Sequence, residues 1–350
     1  MHNIKKYINL FKAGVCLYII CFLICKNDII KSEIMSALGM WINIIVPSVF
    51  PYLIISQYIA SSDIMNFLEV ILGKWISKPL GITKSSIRCV ICSFICGYPS
   101  GAICASMLYK NKKISMDEAE HLICFTNNAG PLFLISAVGT GLLGSAKNGC
   151  AMYVIQLMSA FIYGFVSKKE YSKYRFEISH TKDSDICTCI RNAVGTCINI
   201  CGFMIAAYVL SGSIIYLIGV IYPECKYFYV ISAGVRAIFE ISAGVKEISI
   251  IDNGITGFAF MCAFVSWSGI SVILQIKSVA PEIISIKKLC IAKFIQAVFS
   301  FILGFLYASL SGFKRYYPQK PYAIPIFLLI TVIIFIVYVF TYSKNKKAFR

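Results

Sequence analysis

Long stretches without a charged side chain constrain this sequence more than any other feature. About 20 apolar residues in a helix cross the hydrocarbon core of a bilayer. Eight stretches of twenty or more residues lack Asp, Glu, Lys, Arg and His, and they are 34–62, 89–109, 122–146, 148–167, 192–223, 253–276, 294–313 and 321–343. Only 14% of the residues are charged, against about 25% in soluble domains. The sequence predicts an all-α polytopic membrane protein and excludes a soluble enzyme.

Other segments fit a membrane chain despite their charges. Residues 8–25 and 226–246 are apolar enough to cross, and the first is expected to be a retained helix because no cleavage site follows it. Segment 63–88 has the pattern of an amphipathic helix at the membrane interface. Lys293, next to the run 294–313, is expected to lie at the interface as well.

Two of the runs, 34–62 and 192–223, exceed the length of one simple crossing. Each could be a single tilted helix or a re-entrant hairpin, which returns to its starting side. Cytoplasmic loops collect Lys and Arg. Two hairpins divide these residues 21 to 11 between the sides, whereas two crossings divide them 17 to 15. We therefore predict about eight transmembrane helices, two re-entrant hairpins at these runs and cytoplasmic termini. Segment 74–88 is then outside and segment 168–191 inside.

The same model predicts an internal repeat. It divides the chain into a first membrane helix, a first repeat, a linking helix with a basic loop, a second repeat, and final helices with a basic tail, which are 1–33, 34–146, 147–191, 192–276 and 277–350. Three crossings separate the two hairpins, so the repeats would be inverted. The segments 125–130 and 264–269 match in the positions of Phe and Gly. Inverted repeats with broken helices are a common design of secondary transporters.

Glycine and proline mark the expected helix breaks. The sequence Gly97-Tyr98-Pro99-Ser100-Gly101 lies in the middle of one run, and a proline there removes a backbone donor. It predicts either a functional break, with Ser100 facing a ligand, or a packed kink. The full set of expected break positions is Pro47, Pro51, Gly97, Pro99, Gly101, Gly130, Pro131, Gly244 and Gly269.

Two adjacent carboxamides, Asn127 and Asn128, precede the Gly130-Pro131 break. Buried amides are costly unless they are hydrogen-bonded, and each offers two donors and an acceptor to an uncharged polar solute. We predict a solute site here, and the alternative is a hydrogen-bonded clamp between helices. Ser266, Ser268 and Gln275 form the corresponding polar face of the second repeat.

Glu240 is an acid within a predicted membrane segment, and such residues are functional candidates. It could bind a solute hydroxyl or carry a proton. The alternative is local, because Arg236 lies four residues earlier and can neutralise it on one helix face.

Other functional classes find little support. Most of the 16 cysteines lie in apolar runs and are expected to act as small hydrophobic residues. Cys187 and Cys189, with His180 nearby, lack a second ligand pair at zinc spacing, so we expect no metal and no cofactor. The formal charge of +17 is expected to anchor loop 168–191 and tail 344–350 at anionic lipid rather than at nucleic acid. No enzyme motif is present, so we expect no enzymatic activity.

An ordered series of motifs between about residue 35 and residue 310 resembles the YlbJ family of sporulation integral membrane proteins. The motifs are PSVFPY at 47–52, GYPSGA at 97–102, DEAE at 117–120, FTNNAGPLF at 125–133, EISAG at 240–244 and SWSGIS at 266–271. That family carries the Gate, or nucleoside-recognition, domain, which is similar to the core of concentrative nucleoside transporters.

The resemblance implies a role in spore cortex formation in a mother-cell or forespore membrane of an endospore-forming bacterium. We predict a permease-like protein for a small polar solute, in contact with lipid and with sporulation proteins. The alternative is a membrane scaffold that transports nothing and recruits spore-envelope machinery.

Overall fold

A computed structural model of the chain describes residues 2–61, 63–169, 185–252, 254–311 and 313. Every regular element within these ranges is helical, so the all-α prediction is confirmed. Among the described residues, five helical spans are long and apolar enough to cross a membrane, and they are Asn27–Ile55, Ala146–Val166, Ile186–Ile221, Ile255–Val279 and Ile286–Leu310. The chain is thus a polytopic helical membrane protein. The predicted helix at 321–343, most of loop 168–191 and the tail lie outside the described residues.

The first long helix runs without interruption through the first predicted hairpin. The opening elements are α1 (His2–Cys25), α2 (Asn27–Met40), a π-helical turn (Trp41–Ile45), α3 (Val46–Ser61) and α4 (Asp63–Leu80). The hairpin prediction at 34–62 and the breaks at Pro47 and Pro51 are therefore wrong. A proline ring crowds the carbonyl four residues earlier, and the wider π turn directly before Pro47 gives that ring room.

A hairpin does form in the next run. Helices α5 (Ser86–Cys96) and α6 (Ser100–Lys110) fold back on each other at Gly97–Pro99. Cys89 Sγ lies 3.2 Å from the Gly101 carbonyl oxygen, whereas twelve residues of straight helix would separate them by about 18 Å. The predicted break at Gly97 and Pro99 is confirmed, and the predicted crossing at 89–109 is wrong. We call α5–α6 hairpin 1.

Gly101 does not break a helix, because it is the second residue of α6. A Cβ there would lie 2.6 Å from Thr126 Oγ1, so Gly101 instead permits close packing on α7 (Met116–Thr126). The chain after α7 is non-helical at 127–130 and then continues through the π-helical segment Phe133–Leu142. The predicted break at Gly130 and Pro131 is thus confirmed. Pro131 is the first residue of the resumed helix, a position where its missing N–H is not needed.

The second predicted hairpin is also a continuous helix. After α8 (Ala146–Val166), α9 extends from Ile186 to Ile221 over 36 residues. The hairpin prediction at 192–223 is wrong because a helix satisfies every internal backbone group in lipid, so isolated glycines do not force a turn. Helix α9 runs antiparallel to α2 and α3, with Trp41 Nε1 donating to the Cys197 carbonyl at 3.0 Å.

A second hairpin follows α9. Helices α10 (Phe228–Phe239) and α11 (Ile241–Ile251) reverse at the single residue Glu240, and we call them hairpin 2. Gly244 lies inside α11, so the predicted break there is wrong, as is the predicted crossing at 226–246. A Cβ at Gly244 would lie 2.3 Å from Ala237 Cα. The glycine therefore allows the two arms to touch.

An interrupted helix and a continuous helix complete the described chain. Helix α12 (Ile255–Trp267) is separated from α13 (Gly269–Val279) by Ser268, and α14 spans Ile286–Leu310. The break predicted at Gly269 is confirmed. The matched segments 125–130 and 264–269 each lie at the break of an interrupted helix. The order of long helix, hairpin, interrupted helix and continuous helix thus occurs twice along the chain.

Each arm of the two hairpins is too short to cross the membrane by itself. The arms of hairpin 1 and the second arm of hairpin 2 each have 11 residues, and the remaining arm has 12. At 1.5 Å per residue, such an arm is about 17 Å long, roughly half of the hydrocarbon core. The tips are therefore expected near mid-depth.

The connections before hairpin 1 and after α8 lie together. A Cβ at Gly81 would lie 2.8 Å from the Lys169 carbonyl oxygen. The prediction that segments 74–88 and 168–191 lie on opposite sides is therefore wrong. It failed because it placed the hairpins in the wrong runs.

Candidate functional site

The tip of hairpin 1 packs against the break after α7. The Tyr98 N–H donates to the Asn128 carbonyl at 2.8 Å. Gly97 has φ +79°, and a Cβ there would lie 2.6 Å from Gly130 N. Only glycine fits this position, because both the left-handed backbone and the close approach exclude a side chain.

The tip of hairpin 2 packs in the same way against the break between α12 and α13. Trp267 Nε1 donates to the Ile238 carbonyl at 3.2 Å. A Cβ at Gly269 would lie 3.1 Å from the Phe239 carbonyl oxygen and 3.2 Å from Glu240 Cα. Each hairpin therefore closes on the interrupted helix that follows it in sequence.

A cavity lies between the two tips. Its enclosed part is small, because the roughly 400 Å³ of non-atom space within its bounds includes open solvent at its mouth. Gly97, Tyr98 and Gly130 line it from the first half, and Glu240 and Gln275 line it from the second. The remaining wall is formed by side chains of the π turn, α3, α5, the π-helical segment Phe133–Leu142, α9 and α13. Ligand sites commonly combine an apolar wall with a few placed polar groups.

Glu240 presents a carboxylate at this cavity and is 3% exposed. Its Oε2 accepts from the Ala243 N–H at 2.9 Å and from the Ser242 hydroxyl, so Glu240 caps the start of α11.

The alternative considered for Glu240, neutralisation by Arg236, does not occur. Arg236 instead makes a two-point contact with Glu33, with Nη2 and Oε1 at 2.6 Å, and a longer contact with Glu247 at 3.2 Å. The reversal of the chain at Glu240 explains the difference, because the i to i+4 spacing holds only within a continuous helix.

Gln275 is the second polar side chain of the cavity and is 4% exposed. Its Oε1 is buried with no partner in the described part of the chain. The Ser271 hydroxyl, one turn earlier, is also buried and unpartnered there. Buried polar groups normally have partners, so a solute that hydrogen-bonds to Gln275 fits this wall.

The two predicted asparagines lie behind the cavity and are fully engaged. Asn127 Oδ1 accepts from the Ala102 N–H at 3.0 Å, and its Nδ2 donates to the Ile123 carbonyl at 2.8 Å. Asn128 Nδ2 donates to the Phe125 carbonyl at 2.7 Å. Neither side chain lines the cavity, and both make the contacts expected of a clamp.

The three predicted serines are also placed away from the lining. Ser100 begins α6, and its N–H donates to the Gly97 carbonyl at 3.1 Å. Ser268 holds the break, with φ +71°. The Ser266 hydroxyl lies 2.6 Å from that of Ser300, which donates to Ser159 at 2.8 Å. This chain of hydroxyls joins α12, α14 and α8.

Lys293 is not interfacial, contrary to the prediction from sequence. It is fully buried, donates to the Asn127 carbonyl, and lies 3.1 Å from Asn128 Oδ1. The prediction failed because Lys293 directly precedes the charge-free run 294–313, a position typical of the end of a membrane helix. Gln296 and Ser300 lie on the same face of α14 as Lys293, and this polar stripe was the signal that could have located it. Cys187 and Cys189, for which we expected no metal, lie at the start of α9, and His180 lies outside the described residues.

Comparison with known proteins gives one informative likeness. The chain is similar to the sporulation integral membrane protein YlbJ of Bacillus subtilis (strain 168), with 27% identity over 147 residues. The aligned part is 42% of this chain and 36% of that protein, so it covers about a third of that relative's length. No family model matches the chain, and no solved structure matches it.

Proposed function

We propose that this protein is a sporulation membrane protein that binds and translocates a small polar solute at the cavity between the two hairpin tips. The observation that carries the proposal is the convergence of two hairpin tips and two helix breaks on Glu240 and Gln275. Broken helices near the bilayer midplane are the usual site builders of secondary transporters. The likeness to YlbJ supports the sporulation setting.

The positions of the positive charges support an inverted arrangement of the two halves. Three crossings, which are the interrupted helix after hairpin 1, α8 and α9, separate the hairpins, so they open to opposite sides. Of the Lys and Arg residues in 26–311, 16 then lie on the side to which hairpin 1 opens, and 5 lie on the side to which hairpin 2 opens. Arg236 and Lys293 are left out of this count because they lie within the membrane. By the positive-inside rule, hairpin 1 opens to the cytoplasm.

Over the whole chain, with α1 and 321–343 also crossing, the division becomes 23 to 8, which is sharper than the 21 to 11 obtained with hairpins at 34–62 and 192–223. It also leaves the amino terminus cytoplasmic if α1 crosses, and the carboxyl terminus cytoplasmic if 321–343 crosses. Hairpins and inverted repeats are also what the resemblance to the YlbJ family implies, and this agreement supports a solute site.

A ligand screen on the purified full-length protein tests the solute site. Thermal unfolding is measured with nucleosides, sugars and spore metabolites, and a ligand of the cavity raises Tm in proportion to its affinity and concentration. Glu240→Gln and Gln275→Leu should abolish the shift. Lys288→Ala, an exposed residue on α14, serves as the matched control that keeps it.

The rival function is a scaffold that recruits spore-envelope proteins. It predicts that Glu240→Gln and Gln275→Leu leave sporulation intact at normal protein levels, while deletion of 170–184 abolishes it. That pair of results would overturn the transport proposal.

The topology has an independent test. Single cysteines introduced at Lys84 and Lys168 of a cysteine-free variant should be labelled from the cytoplasmic side, and one at Lys226 from the opposite side. Labelling of Lys84 and Lys226 from the same side would contradict the inverted arrangement.

A further inference from the structure

Lys293 carries a buried ammonium group that the proposed solute site does not use. The side chain is fully buried in α14. Its Nζ donates to the Asn127 main-chain carbonyl, lies 3.1 Å from Asn128 Oδ1 and lies 3.4 Å from Gln296 Oε1. All three neighbours are uncharged oxygens.

No described carboxylate balances this charge. The described ion pairs of the chain involve Arg236 and Lys288, and none involves Lys293. Glu120, the acid on the nearby turn of α7, is already paired with Lys288. A buried charge without an ion partner is costly, so the oxygens around Lys293 must provide its stabilisation.

The end of α7 supplies that stabilisation. A helix that stops inside the membrane leaves its last carbonyls without backbone partners and carries a partial negative charge there. Side chains satisfy three of these carbonyls, since Asn127, Gln296 and Asn128 donate to Ile123, Cys124 and Phe125 respectively at 2.7–2.8 Å. The carbonyl of Asn127, two residues beyond Phe125 and directly after the end of α7, accepts from Lys293.

An interrupted helix whose carbonyls meet amide oxygens is the kind of place where transporters bind a free monovalent cation. From the contacts of Lys293 we infer that its ammonium occupies such a cation site permanently, as a cation supplied by the chain itself. The break after α7 is then held open by Lys293 without sodium or potassium. Where it concerns solute binding, the inference rests on the proposed function. It then predicts that the solute binds without sodium.

Chemical rescue tests the site without any solute. In the purified full-length protein, Lys293→Ala removes the ammonium group. It leaves the oxygens that surrounded this group and an empty space where the side chain lay. We expect Tm to fall by several degrees, and propylammonium to restore at least half of the loss, with ammonium restoring less. Choline chloride at equal ionic strength, which is too large for the site, should restore nothing.

Two variants control for packing and for general salt effects. Lys293→Met fills the space of the lysine side chain with an uncharged side chain. Its Tm should therefore be lower than that of the wild type, and no cation should raise it. Lys288→Ala lies on the same helix with its ammonium exposed, and it should respond to no cation either. Equal Tm values for Lys293→Met and the wild type, or no difference between propylammonium and choline for Lys293→Ala, would overturn the inference.

A further measurement covers the case in which Lys293→Ala does not fold. The wild-type protein should have the same Tm in sodium, potassium and choline chloride, because the site is already filled. A stabilisation of the wild type by sodium alone would refute a permanently occupied site. Successful rescue with no solute found in the ligand screen would leave the cation inference standing and remove the proposed function.

Discussion

The two interrupted helices are stabilised in different ways. The break after α7 is four residues long and is gripped by a buried charge and by amides. The side-chain amide of Gln156 in α8 bonds to both backbone groups of Ala129. Its oxygen accepts from the Ala129 N–H at 2.9 Å, and its nitrogen donates to the Ala129 carbonyl at 3.2 Å. The break before α13 is the single residue Ser268, and hydroxyl groups hold the end of α12 beside it. A longer opening frees more backbone groups, so it requires more partners.

The hairpin tips differ in a complementary way. The tip of hairpin 1 has three residues and offers backbone and a tyrosine ring to the cavity, whereas the tip of hairpin 2 is one residue and offers a carboxylate. The second half thus supplies the polar side chains Glu240 and Gln275 of the cavity. The first half supplies most of the buried hydrogen bonds that hold the cavity wall in place.

Alanine at the two glycines where a hairpin tip meets a helix break should give the largest difference between the halves. Gly97→Ala places a methyl group against the Gly130 backbone at positive φ, and we expect a loss of about 3 kcal/mol or more. Gly269→Ala has the same φ but looser contacts of 3.1–3.2 Å, and should cost about 1–2 kcal/mol. Thermal unfolding in detergent measures both, and equal losses would contradict the difference in closeness.

The two acids that contact Arg236 should also differ. Glu33→Gln breaks a two-point contact at 2.6 Å between groups that are mostly buried, and we expect a loss of about 2–3 kcal/mol. Glu247 is farther from Arg236 and more exposed, so Glu247→Gln should cost less than about 1 kcal/mol. Increasing salt should weaken the second contact more than the first. The opposite order of the two losses would show that Glu33 does not anchor hairpin 2.

The clamp of the first break should be worth more than the hydroxyl chain of the second. Asn127→Ala leaves the Ala102 N–H and the Ile123 carbonyl without their side-chain partner, and we expect a loss of about 2 kcal/mol. Ser266→Ala removes one hydroxyl, while Ser300 keeps its bond to Ser159, so the loss should be about 1 kcal/mol or less. Unfolding of the two variants under identical conditions measures the gap, and a larger loss for Ser266→Ala would reverse the comparison.

The smallest effect is expected at the exposed ion pair between α14 and α7. Lys288 pairs with Glu120, but its side chain is 62% exposed. Lys288→Ala should therefore change the free energy of unfolding by less than about 1 kcal/mol. A larger loss would show that this pair holds α14 to α7, a role that we assign to Lys293 and Gln296.

The sequence determined the class of the protein and most of its break points. Charge-free runs specify membrane helices because lipid solvates no charge, and Gly97, Pro99, Gly130 and Pro131 specify breaks through their local backbone properties. The matched motifs at 125–130 and 264–269 marked the two interrupted helices for the same reason. These signals are local, so a single chain is enough to find them.

Tertiary structure alone decided which runs turn back and which polar groups meet. A run of 21 apolar residues reads alike as one crossing or as two half-length arms, and contacts such as Cys89 with Gly101 settle the choice. Arg236 contacts Glu33 across 203 residues of chain, and Lys293 contacts Asn127 and Asn128 across 166 and 165 residues. Pairings of such separation depend on how the helices pack, and periodicity along the sequence holds no record of them.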